Sequence, residues 1–104
     1  MKARTLLTLV LFAAVPAAAS TATTELYETA NTKMHHAMAI AYTGDPDVDF
    51  ARSMIPHHQG AIDMAKVVLE HGQDPAIRRL AEEIIEAQQR EIAWLKEWLA
   101  KKGQ

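Results

Sequence analysis

From Ile77 to Leu99 apolar side chains return at spacings of one and two helical turns, through Leu80, Ala81, Ile84, Ile85, Ile92, Leu95 and Trp98. This is the period of one helix face. Sustained over about six turns, it makes a stripe that must be buried against other helices. No stretch of the chain alternates apolar and polar residues with the period of two that a half-buried strand needs. The predicted fold class is all-α, a small antiparallel helical bundle with short loops.

Local signals divide the chain into three main helices. Asp74-Pro75 starts the last one with a cap and a proline at the first helical position, and Lys101-Lys102-Gly103 ends it with cations that suit a helix C-terminus. A second helical region runs from Val48 to His71, with Asp47 as cap and Gly72 as a left-handed terminator. Pro56 lies inside it and predicts a kink, or a break into Val48–Ile55 and a longer helix starting at Pro56. The first helix is predicted from Glu25 to Tyr42, capped by Thr24, with Tyr27, Met34, Met38 and Ala41 as its buried stripe. Thr43 to Asp47 reads as a turn.

The first residues have another character. Met1-Lys2-Ala3-Arg4 is basic, Thr5 to Val15 is apolar and uncharged, and Ala17-Ala18-Ala19 follows Pro16. Such an order predicts a secretory signal peptide over residues 1–19, cleaved after Ala19 or, as second choice, Ala22. An apolar run this short cannot span a bilayer, which needs roughly 20 residues, so no membrane anchor is expected after cleavage. Removing 19 of 104 residues leaves 85, with one helical domain at 24–102. Loss of Lys2 and Arg4 leaves nine basic against 13 acidic residues, a formal charge of −4. That balance argues against nucleic acid or an anionic membrane as partner. The expected location is the periplasm or the extracellular medium.

The chain has no cysteine. An exported domain of this size must then hold together by helix packing, self-association or a bound ion. Thiolate chemistry, c-type haem attachment, iron–sulfur clusters and cysteine-rich zinc sites are excluded. The soft ligands left are methionine and histidine. Past the leader there are four methionines and five histidines, and eight of these nine fall between Met34 and Met64.

Their spacing is helical. Met34, His35 and Met38 share one sector of the first helix; Met54, His57 and His58 share one sector of the second, with Met64 two turns past His57. Antiparallel packing would bring the two sets together. Thioether sulfur suits Cu(I), imidazole suits copper in both oxidation states, and no dense carboxylate cluster offers a calcium or magnesium site. The alternative reading is methionine as flexible core filler, with His36 and His71 at the surface. Gln88 and Glu91 fall close to the apolar stripe of the last helix and could orient an imidazole from behind.

Three segments together resemble the DUF305 family. They are Met34-His35-x-x-Met38; Asp49-Phe50-x-x-x-Met54-Ile55-Pro56-His57-His58-Gln59-Gly60-Ala61-Ile62-Asp63-Met64-Ala65; and Leu80-Ala81-x-x-Ile84-Ile85-x-Ala87-Gln88-x-x-Glu91-Ile92 followed by Trp98-Leu99. The resemblance implies a ferritin-like bundle exported in bacteria, with some members linked to copper binding and copper resistance. Carried over, the ligands would be Met34, His35, Met38, Met54, His57, His58 and Met64, with Asp49, Gln88 and Glu91 supporting them. Asn31 and Leu95 stand where relatives often have methionine, which implies lower copper capacity or a different preference. Di-iron chemistry is not implied, because no glutamate here has a histidine three residues later.

The function expected is a non-enzymatic copper buffer or carrier, with Cu(I) favoured over Cu(II). A second expectation is a structural or interaction bundle that forms a homo-oligomer through the Trp94/Trp98 region. A third is haem held by a Met/His axial pair. No serine triad, glycine loop or paired-acid pattern points to an enzyme.

Overall fold

A computed structural model describes Leu11, Ala13 and residues 17–104, with side chains from Ala22 onward. The signal-peptide reading falls mostly outside the described residues, which within 1–19 are Leu11, Ala13 and the backbone of Ala17–Ala19. Among the described residues the chain is all-α, with no strand and three helices: α1 (Ala17–Met38), α2 (Pro46–His71) and α3 (Pro75–Lys101). None of these helices is long and apolar enough to cross a membrane.

α1 departs from its sequence boundaries at both ends. It runs straight through Thr24, which therefore does not mark its start, because the alanines at 17–19 are strong helix formers. It stops at Met38 instead of Tyr42. The four residues released, together with Thr43 and Gly44, enter a loop held by Asp49. That carboxylate accepts hydrogen bonds from Thr43 N (2.8 Å), Thr43 Oγ1 (2.8 Å) and Gly44 N (3.0 Å). The buried stripe shifts accordingly: Ala30 is buried, Met34 and Met38 are half-buried, and Tyr27 and Ala41 are exposed.

The bond from Thr43 N foremost, with those from Thr43 Oγ1 and Gly44 N, holds the Asp49 carboxyl below the usual carboxylate range. A carboxyl depressed in the folded chain stabilises it above the unfolded-state pKa, and this contribution is lost as pH falls through the folded value. Asp49→Ala is therefore expected to lower stability at neutral pH. Its deficit against the parent should shrink on acidification through and below the ordinary carboxylate range. Urea unfolding of both proteins across that range checks the sign.

Asp45, not Asp47, caps α2. Its side chain accepts from Asp47 N (3.0 Å) and Val48 N (3.3 Å), which leaves Pro46 at the first helical position, where a missing N–H costs nothing. Pro56 sits within one unbroken helix. α2 is packed on both sides, and that packing offsets the hydrogen bond proline cannot donate. Gly72 ends α2 in extended geometry (φ −78°, ψ 156°), not as a left-handed cap. The next residues must lead at once into Asp74-Pro75, and the residue before proline is held extended. Glycine fits there for space: a Cβ would lie 2.6 Å from both Val68 Cγ2 and Val68 O. Arg78 Nη1 crosses from α3 to donate to Leu69 O (2.6 Å) and Gly72 O (3.2 Å), satisfying carbonyls that the helix end leaves free. Asp74 caps α3 by accepting from Ile77 N at 2.9 Å.

α2 and α3 form an antiparallel hairpin, with Arg52 meeting Gln104, His58 meeting Glu91, and Ala65 and Ala81 lining one groove nearer the turn. Val48, Ala51, Leu95 and Leu99 are the buried core between them, flanked by Met54, Ile55 and Trp98. Among the described residues the close backbone approach of α1 is to α2, also antiparallel: Lys33 pairs with Asp63 (3.5 Å) and Met34 lies against Gly60.

A candidate metal centre in the groove between α2 and α3

α2 turns about 100° per residue, so neighbouring positions face different partners. Met54 and His58, four apart, come within about 40° of each other and share the face directed at α3. Together with Phe50 on α2 and Glu91, Trp94 and Leu95 on α3, they line a cavity of about 310 Å³ whose wall is mostly apolar.

Inside that groove His58 is held from one side. Its Nε2 meets the Glu91 carboxylate, and the histidine side chain is 14% exposed against 60% for the glutamate. An ionised carboxylate only accepts hydrogen bonds, so in the neutral ring Nε2 carries the proton and Nδ1 keeps the lone pair. Nδ1 is buried and, among the described residues, has no hydrogen-bond partner. A buried polar atom left unpaired costs on the order of 1–3 kcal/mol. A metal-binding imidazole has the same arrangement, with a carboxylate on one nitrogen and a free lone pair on the other.

The seven ligands named from sequence do not form one cluster. Met34 seats on Gly60, two residues and therefore about 200° around α2 from His58. His35 is exposed, and Met38 is half-buried at the end of α1. His57 is exposed; its ring centroid lies 6.1 Å from that of His58 with the planes tilted by 58°. Met64 is 44% exposed and lines a separate apolar groove with Tyr27, Ile77 and Leu80. The two sets were expected to meet across the bundle, but Met34 is directed to the Gly60 face of α2, where it lines a groove with Ile92 and Lys96 of α3 and not with Met54 and His58.

Of the three supporting residues, Glu91 reaches His58. Gln88, one turn earlier on α3, is half-buried, and Asp49 is engaged by the α1–α2 loop. Phe50 and Trp94 were not read as site residues. Their four- and three-residue spacings from Met54 and Glu91 carried the signal, but only the register of α3 on α2 brings both to the groove.

The donor set fits a soft monocation. One thioether and one neutral imidazole are soft and borderline donors, and a carboxylate beyond the imidazole balances a single positive charge. Among the described residues no three of His, Asp and Glu converge as a harder ion would need.

The family model for the domain of unknown function DUF305 matches residues 47–104, which includes all of this groove. An uncharacterized protein of Acanthamoeba polyphaga mimivirus is 46% identical over 46 residues, 44% of this chain. The match spans 30% of that viral protein's length.

Proposed function

The chain belongs to the DUF305 family, and from that premise we propose that it is an exported, non-enzymatic copper-binding protein. It acts in the periplasm or outside the cell as a buffer or carrier that holds Cu(I) on Met54 and His58. The observation that carries this reading is the His58 ring, fixed at Nε2 by Glu91 and left with a buried, unpartnered Nδ1, in a groove that Met54 also lines. Cu(I) prefers thioether and imidazole to water, and two donors suit a site that must also release its ion. The carboxylate fixes the orientation and tautomer of the ring.

The test is Cu(I) titration of the full chain against a competing chelator, with Glu91→Gln as comparison. Removing the charge behind a ligating imidazole lowers metal affinity by about 10–100-fold. Competition in that range, with unchanged helicity, supports the site. Equal affinity in the two proteins, or no competition with the chelator at all, contradicts it.

Exposed apolar surface favours a second reading, a self-associating bundle. Phe50 is 63% and Trp94 62% exposed, and Ile77 and Leu80 are each 50% exposed. Under that reading sedimentation depends on protein concentration and is indifferent to copper and chelator.

A further inference from the structure

Trp94 is 62% exposed, a large apolar surface to leave in water, and it shares its cavity with both proposed donors. Its neighbour one turn on, Trp98, already holds a cation: Lys102 Nζ lies 5.4 Å from that ring's centroid. Among the described residues Trp94 has no such cation. Indole is the aromatic side chain whose face attracts cations most strongly, and the attraction grows once the ion loses water. The groove supplies a mostly apolar lining, with Phe50 and Leu95 completing the wall around two donors that leave a small ion under-coordinated.

We infer that Trp94 forms the outer wall of the Met54–His58 site and binds a soft monovalent cation through its π-face, selecting Cu(I) and Ag(I) over Cu(II) and Zn(II). This rests on the metal-binding reading above. A more strongly hydrated divalent ion gains less from an aromatic face and asks for more oxygen or nitrogen donors than the groove offers. The same wall limits access of water and oxidants to the Met54 sulfur.

Silver(I), which does not change oxidation state in air, is the probe. One equivalent added to the full chain should quench the tryptophan emission. The quench should vanish in Trp94→Leu, where Trp98 alone remains, and also in Met54→Leu with Trp94 intact. Ag(I) affinity should fall about tenfold in Trp94→Leu, the scale of a desolvated cation–π contact, and recover in part in Trp94→Phe. Zinc(II) affinity should not move. Ag(I) binding that leaves Trp94 emission unchanged, with equal affinity in Trp94→Leu, overturns the inference and spares the metal site. The same holds if Trp94→Leu alters only the sedimentation of the protein, which would make Trp94 a docking residue. Absence of any Ag(I) or Cu(I) binding overturns the metal site itself, and the inference with it.

Discussion

Met54→Leu combined with His58→Leu should lower Cu(I) affinity by at least about a hundredfold, or 2.7–2.8 kcal/mol, since each tenfold is about 1.4 kcal/mol. Losing only the carboxylate behind an imidazole costs about 10–100-fold, and this pair removes both donors. Stability in metal-free buffer should move the other way or not at all. Methionine to leucine conserves volume and costs under about 1.5 kcal/mol, while leucine at 58 removes a buried, unpartnered Nδ1. Lost affinity without lost stability is the behaviour of a site, and core residues do not show it. Chelator competition and urea unfolding on the same samples decide it. Met34→Leu with Met38→Leu is the control from the far side of α2, and its Cu(I) affinity should stay close to that of the parent. If affinity follows Met34 and Met38 instead, the site lies elsewhere.

The second large effect is on α1. Gly60 is buried in α2, and a Cβ there would lie 2.4 Å from Met34 Sδ, 2.9 Å from its Cγ and 3.1 Å from its Cβ. Rotation of the Met34 side chain can move Sδ and Cγ, but Cβ moves only with the α1 backbone, and in a packed helix few rotamers are open to the other two. Alanine in a helix interior is worth about 0.5–1 kcal/mol over glycine, but overpacking typically costs about 1–3 kcal/mol. Gly60→Ala should therefore destabilise the protein by about 1–2 kcal/mol, with a melting temperature roughly 4–8 °C lower per kcal/mol. Met34→Ala should rescue it, since in that background the new methyl occupies space the thioether has left. A double-mutant cycle in urea measures the coupling. Additive effects would mean that α1 does not dock through this contact.

The same two contacts explain what could be read without coordinates. The limits of α3 follow from an Asp-Pro start, a cationic end and a helical apolar period, all local signals, whereas α2 begins at Pro46, inside the stretch that reads as a turn, two residues before the predicted Val48. The pairing of Met54 with His58 follows from four-residue spacing. Whether His57 or His58 faces inward does not, because the two lie about 100° apart on α2 and the answer depends on where α3 docks. The expected meeting of Met34 and Met38 with the α2 ligands failed for a related reason. Gly60 marks a face that accepts a close neighbour, yet that face lies opposite His58. Asp49 was read as a ligand's support and instead holds the loop that ends α1, a role set by Thr43 and Gly44 approaching from outside its own helix. Trp94 was assigned to a surface for self-association, and only the shared cavity ties it to the donors.

The central claim concerns one atom, so the decisive measurement reads that atom. Long-range ¹H–¹⁵N correlation of the histidine rings, before and after one equivalent of Ag(I), separates Nδ1 from Nε2 at each of the five histidines. His58 is expected to keep its proton on Nε2, facing Glu91, while its Nδ1 resonance moves and the other four rings stay in place. A shift at His58 Nε2, a shift confined to His35 or His57, or no shift at any ring would contradict it.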